Sequence, residues 1–202
     1  MGYSIDPISA NCYPNTTVLI NKFDIRDEEK LNEVESILVS AKYAEWMKAP
    51  RAGTFDFAHY KIIHQFLFSD LYDWAGQIRT VNISKKGAMF TAAEDIESQA
   101  QLVFTRLKDC NYFCGLPHDE FVEEIVDFYC TTNALHPFRE GNGRTQRAFL
   151  TQLVRNAGYE INFASMDTDL LMIATIQSAQ GVTDLLRDIF RESIEVGAPH
   201  AE

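Results

Sequence analysis

The run HPFREGNGRTQR, residues 136–147, sits between two apolar stretches and fixes the reading of everything around it. A buried helix needs none of these residues, and a plain surface helix would avoid both glycines. Upstream, Phe121, Ile125, Phe128 and Tyr129 recur at helical spacing and end before His136-Pro137; downstream, Phe149, Leu150, Leu153 and Val154 start a second apolar face. The run is therefore expected to be the loop of a helix–loop–helix, and its composition asks for a chemical explanation.

Gly141 and Gly143 permit backbone angles closed to other residues, so successive N–H groups can converge into an anion-binding nest. The second helix, beginning near Gly143-Arg144, turns its positive end to the same point, where a phosphate fits. Arg144 and Arg147 are three apart and can both lean toward that end, with Arg139 and Arg155 close in sequence. Glu140 would repel a phosphate on its own. A Mg²⁺ ion between carboxylate and phosphate removes the conflict, because Mg²⁺ takes one or two carboxylates together with phosphate oxygens. His136 is the group in the run able to accept a proton near neutral pH, and Phe138 is expected to anchor the loop in the core. Taken singly, a GNG turn is a common helix linker and "HPF" a common helix end; the combination at fixed spacing is what carries the reading.

The rest of the chain sets limits. Its 202 residues fit one domain with terminal extensions, and 46% hydrophobic content is that of a folded globule. A formal charge of -11 argues against direct nucleic-acid binding or attachment to an anionic membrane, so an anion site must be local. Cys12, Cys110, Cys114 and Cys130 lack metal-type spacing and read as reduced thiols. With no signal peptide and no apolar run near the ~20 residues of a membrane span, a cytoplasmic protein is expected.

Residues 1–26, with Pro7 and Pro14, read as an irregular segment packed on a main domain at 27–196, followed by a tail at 197–202. Leu31, Val34, Leu38 and Ala41 predict a helix from Asp27 that stops before Pro50. A second is expected over Thr54–Ala75 on the stripe Phe57, Tyr60, His64, Leu67, Leu71 and Trp74, with Gly76 as its stop and His64 as a structural histidine. The period then changes: Arg79, Val81 and Ile83 alternate toward a turn near Lys85-Lys86-Gly87, which predicts a hairpin over residues 77–90. Thr91 and Glu94 read as a capping box that opens a helix carrying Ile96, Ala100, Val103 and Leu107. Two further helices are expected near 168–179 and 183–195.

Residues 136–147 resemble the signature HxFx(D/E)GNGRxxR of the Fic-domain proteins without a mismatch, and the stretch FDFAHYKIIHQFLFSDLYDWAGQIRTVNIS, residues 55–84, is similar to the helix and flap that precede it in that family. The resemblance implies an all-α Fic fold, a helical bundle with a short β-hairpin flap. It also implies transfer of AMP from ATP to a hydroxyl of a target protein. It makes His136 the base, Glu140 the Mg²⁺ ligand, and Gly141, Asn142, Gly143, Arg144 and Arg147 the ATP-phosphate contacts. It makes Arg79, Thr80, Val81, Asn82 and Ile83 a flap that docks the target by strand addition. Phosphotransfer with ATP reversed is an alternative; relatives of that kind usually carry a lysine near the second glycine, where this chain has Gly143. A non-catalytic nucleotide-binding module has little use for His136.

The family restrains itself through a motif (S/T)xxxE(G/N), whose glutamate pairs with the second signature arginine. The nearest text, RESIEVG, has Arg191 where Ser or Thr is required before Glu195. The sequence thus resembles the FicT toxins, for which a small separate antitoxin supplies the glutamate to Arg147. DNA gyrase and topoisomerase IV are targets associated with that class.

Overall fold

The computed structural model describes residues 4–5, 11–85 and 88–197. Its helices are α1 (Glu28–Lys48), α2 (Phe57–Phe68), α3 (Ile96–Asp109), α4 (His118–Leu135), α5 (Asn142–Asn156), α6 (Thr168–Ser178) and α7 (Asp184–Ser193). Five short strands accompany them: β1 (Ser4–Ile5), β2 (Ile83–Lys85), β3 (Ala88–Met89), β4 (Tyr159–Ile161) and β5 (Ile194–Val196). The mostly helical bundle with a small hairpin is the fold class expected from sequence.

Capping chemistry starts the first two helices. The Asp27 carboxylate accepts the Lys30 N–H at 2.8 Å, and Asp56 accepts that of His59 at 2.8 Å, each satisfying a donor with no intrahelical partner. Helix α5 is central, packing against α1, α2, α4 and β4. Phe149 on α5 meets the rings of Phe55, His59, Tyr60, Phe104 and Phe128, so several elements share one aromatic core.

Four local expectations need correction. On α1, Leu31 is buried and Val34 and Leu38 pack half-buried against the core as expected, but Ala41 is exposed and the other buried positions are Glu35, Val39 and Trp46, one of them a carboxylate. Helix α2 ends at Phe68 rather than Ala75, because the N–H groups of Leu71 and Tyr72 both turn back to the Phe68 carbonyl and bury their side chains. Thr91 forms no capping box; its hydroxyl donates to the Ala134 carbonyl, and a 3₁₀ turn over Ala93–Asp95 leads into α3. The tail end of the chain forms a second sheet that the periodicity missed, β4 pairing antiparallel with β5 through Glu160 opposite Glu195.

The hairpin is also shorter than expected. Only Ile83–Lys85 and Ala88–Met89 are strands, and the predicted turn residues Lys86 and Gly87 lie outside the described residues. The sheet order is β1-β2-β3, so the chain's own Ser4 and Ile5 pair with Ser84 and Ile83. Phe90 N–H bonds to the Ile83 carbonyl at 3.4 Å, which makes Ser84–Met89 the pair whose N–H and C=O groups point away from each other. Those of Ser84 face β1, and those of Met89 face the outer edge of β3.

His64 ties α2 to residues far along the chain. Its Nδ1 accepts the Gly76 N–H at 2.8 Å, its Nε2–H donates to the Glu140 carbonyl at 3.0 Å, and its ring stacks on Phe138 at 3.8 Å. This is the structural role expected of it. Burial pushes its pKa from 6.5 down to about 3, so the native ring stays neutral where the unfolded chain binds a proton. Stability is full above pH 6.5 and falls by about 1.4 kcal/mol per pH unit toward pH 3 from this group alone. Urea unfolding should show the parent losing stability between pH 7 and 5, and His64→Gln should be less stable at pH 7 yet lose less on acidification, the difference between the two slopes being the share of His64. Identical acid slopes in parent and variant would assign the proton uptake to other groups.

Candidate active site

The segment between α4 and α5 reverses direction through two left-handed residues. His136 caps α4 at φ 42°, ψ 59°, and Gly141 precedes α5 at φ 79°. At Gly141 a side chain is excluded twice: by that φ, and because a Cβ would stand 2.2 Å from the Phe68 ring. Phe138, between them, is fully buried between the rings of His64 and Tyr60.

Asn142 locks this reversal. Its Oδ1 accepts the Phe138 N–H and its Nδ2 donates to the Phe138 carbonyl, both at 2.8 Å. The side chain is therefore committed to the loop, which leaves Asn142 its backbone N–H for an anion. The first hydrogen bond of α5 runs from Thr145 N–H to the Gly141 carbonyl at 3.1 Å. The N–H groups of Asn142, Gly143 and Arg144 thus have no acceptor within the helix. Gly143 is exposed there, so the mouth of this nest is open to solvent. Gly141 has the left-handed backbone that the sequence predicts, whereas Gly143 is an ordinary residue of the first turn of α5 and takes no special angle; the three N–H donors and the positive helix end are a geometry suited to an anion.

His136 is held by its backbone and its ring. Its carbonyl accepts Arg79 Nε at 2.9 Å, and its ring lies 3.7 Å from that of Phe90, nearly parallel. Nδ1 lies 3.0 Å from the Asn133 carbonyl, which can only accept, so Nδ1 carries the hydrogen and Nε2 the lone pair. Burial, with smaller contributions from Lys85 and Arg79, pushes the pKa down to about 3. The imidazole is neutral at pH 7.

The arginines divide into distinct positions. Arg79 is buried: besides His136, it donates to the carbonyls of Val81 at 2.8 Å and Thr91 at 2.5 Å. It staples the hairpin's base to the signature loop, so its side chain is spent on the frame. Asn82 likewise holds the turn before α3, accepting the Ala93 N–H at 2.9 Å, while Thr80 is exposed and Ile83 is buried in β2. Arg139 is buried with Nη2 3.6 Å from Cys12 Sγ. Arg144 pairs with Glu35 and lies 3.4 Å from Glu140. Arg147 makes no side-chain hydrogen bond or ion pair among the described residues, and it lies on the Gly143 side of the helix, its Nη1 being the atom a Cβ at Gly143 would meet at 3.4 Å. Glu35 is the site residue that the sequence reading missed; the available signal was a carboxylate four residues from both Leu31 and Val39, on an otherwise apolar face.

Glu140 is partly exposed, and its Oε1 accepts the Gly141 N–H at 2.8 Å. No group of three or more His, Cys, Asp or Glu that could hold a metal occurs among the described residues. One carboxylate at the rim of an anion nest fits a Mg²⁺ whose other ligands are phosphate oxygens and water.

Comparison with known proteins places this geometry. The chain is 38% identical over 181 residues to the protein adenylyltransferase VbhT of Bartonella schoenbuchensis, covering 90% of this chain and 38% of that one. It is 38% identical over 177 residues to y4lH of Sinorhizobium fredii, named a probable protein adenylyltransferase, covering 87% of this chain and 89% of that one. Among solved structures, BepC of Bartonella tribocorum with bound AMPPNP superposes with a TM-score of 0.87 at 29% identity, over 93% of this chain and 97% of that one. The N-terminal Fic domain of a Bep effector of Bartonella quintana, with bound ADP, also gives 0.87, at 27% identity over 93% of this chain and 95% of that one. The Fic/DOC family profile matches residues 54–154, from α2 to the last turns of α5, and the chain belongs to that family.

Proposed function

We propose that this chain transfers AMP from ATP to a hydroxyl side chain of a target protein. The observation that carries the reading is the contact of His136 Nδ1 with the Asn133 carbonyl, which makes Nε2 the acceptor nitrogen of a ring at the head of the loop that leads into the N-terminus of α5. The target hydroxyl oxygen bonds to the α-phosphorus as its proton passes to Nε2, and pyrophosphate leaves. The N–H groups of Asn142, Gly143 and Arg144 receive phosphate oxygens in a preorganised nest, so little reorganisation is needed as charge develops. Arg147 holds the outer end of the triphosphate and Arg144 an intermediate oxygen. Glu140 would hold Mg²⁺, which supplies charge neutralisation on the phosphates. Relatives named as protein adenylyltransferases support the activity, and ATP as co-substrate carries a cytoplasmic location with it. Among the described residues no helix is long and apolar enough to cross a membrane.

The target docks by adding a strand to the flap, and the edge it uses is β3. The β2 edge is taken by Ser4 and Ile5, whereas β3 leads directly into Phe90 against His136. A separate protein carrying the (S/T)xxxE(G/N) motif restrains the chain by presenting its glutamate to Arg147. A bidentate pair on one edge of a guanidinium takes one carboxylate or one phosphate, so a glutamate and the outer phosphate would compete for the same edge of Arg147. DNA gyrase and topoisomerase IV are the first targets to assay, because the signature without a motif of its own resembles that toxin class.

Incubating the chain with Mg²⁺, lysate and ATP labelled at the α-phosphate should transfer label to protein, and His136→Ala should lower the rate at least about 100-fold while ATP still binds. Label arriving only from the γ-position would mean phosphotransfer instead. Met89→Pro removes an N–H that points off the sheet and leaves the β2–β3 ladder intact, so it should depress labelling of the target with ATP affinity unchanged. Equal loss of both would make the hairpin merely structural. Expressed with its motif-bearing partner, the chain should be silent, and replacing the partner's motif glutamate by glycine should restore labelling and growth arrest; a partner that still silences after that change rules out competition at Arg147.

A further inference from the structure

We propose that Glu35, on α1, is a positioning residue that presets Arg144 for the nucleotide and keeps it off the Glu140 carboxylate. The inference rests on the nucleotide-transfer reading above. Glu35 lies 109 residues from Arg144 in sequence, outside the signature and the flap, and its side chain is 10% exposed. Both of its oxygens are occupied: Oε1 by Arg144 Nη2, and Oε2 by the Tyr72 hydroxyl at 2.5 Å. Tyr72 is itself buried and stacked 4.3 Å from the Trp74 ring, so the carboxylate is held from behind. A carboxylate in this position costs several kcal/mol of desolvation that an apolar residue on the same face would avoid. The charge therefore has a use that packing does not explain, and its partner is the first arginine of the signature.

The geometry says what that use is. Arg144 is restrained on three sides: by Glu35, by the face of Phe68 4.8 Å below its guanidinium carbon, and by Glu140 Oε1 at 3.4 Å. Only Nη2 is spent on the two carboxylates, so Nε and Nη1 have no carboxylate partner among the described residues. The guanidinium is aimed, with donors in reserve. Remove Glu35 and the carboxylate remaining near Arg144 is Glu140, four residues before it in the loop that leads into α5. Arg144 then closes on the carboxylate assigned to Mg²⁺, and the site loses an aimed donor and a metal ligand together.

The test is calorimetric titration of the full chain with ATP, with Mg²⁺ and with a chelator, for the parent, Glu35→Ala, Glu35→Gln, Arg144→Ala and the Glu35→Ala/Arg144→Ala double variant. Melting temperatures establish that each is folded. Glu35→Ala should weaken Mg²⁺·ATP roughly tenfold and shrink the ratio of affinities with and without the metal. Glu35→Gln keeps an oxygen for Arg144 and should recover most of the loss, which also covers the case of an unfolded alanine variant. In the absence of Arg144 the Glu35→Ala change should cost nothing further, because a residue that acts through another is silent without it. Additive losses, an unchanged metal ratio in Glu35→Ala, or no recovery in the glutamine variant would overturn the role of Glu35 while leaving the nucleotide reading intact. A parent chain that binds no ATP would overturn the nucleotide reading and this inference with it.

Discussion

The two hydrogen bonds that Asn142 makes to the backbone of Phe138 are the constraint on which the rest of the site depends. They close a ring across the reversal between α4 and α5, and a buried amide with both ends satisfied is costly to open. Three consequences follow from that ring. The Phe138 side chain is directed into the aromatic slot between His64 and Tyr60, which fixes the loop's depth. The chain enters α5 with three N–H groups facing outward. His136, at the other end of the same reversal, is left in a left-handed conformation that a non-glycine residue adopts only when its surroundings hold it there.

Those surroundings come from the hairpin's base. Arg79 reaches the carbonyls of His136, Val81 and Thr91 with three different nitrogens, so one buried side chain links the loop, the strand entering the flap and the segment leaving it. A lysine could not do this, since its donors radiate from one atom while the guanidinium spreads five N–H groups over a rigid plane. The flap and the histidine are thereby one mechanical unit. Phe90 stacked on His136 completes it, so the residue that follows the outer strand lies against the ring proposed as the base.

How much of this was legible in the sequence depended on whether a residue's job is visible in its type. Gly141 announced itself, because a positive φ with a ring packed where Cβ would be leaves no other choice. The helices on either side of the signature were legible for the same reason that they are stable: apolar residues recur at their period. Arg79, Val81 and Ile83 misled, since alternation is the mark of a strand and yet Arg79 points inward to carbonyls while only Ile83 joins the ladder. The loop-closing role of the Asn142 side chain was not legible, because the same amide can serve an anion or its own backbone. Glu35 was hidden most completely. A hydrophobic pattern scores a carboxylate as surface, and its buried partner stands over a hundred residues away.

The charge distribution shows why the site is built this way. At a formal -11 the chain repels anions at a distance, so a phosphate must be held by short-range donors rather than drawn in by a basic field. Backbone N–H groups suit this, because they add no net charge and need no counter-ion. The arginines are then free for narrower tasks. Arg79 and Arg139 are buried in the frame, Arg144 is balanced against Glu35, and Arg147 is the signature cation left without a carboxylate among the described residues. A site with one uncommitted guanidinium has one place where its charge can be neutralised from outside. In the proposed reaction that place takes the outer phosphate of ATP, and under the proposed restraint a partner's carboxylate would take it instead.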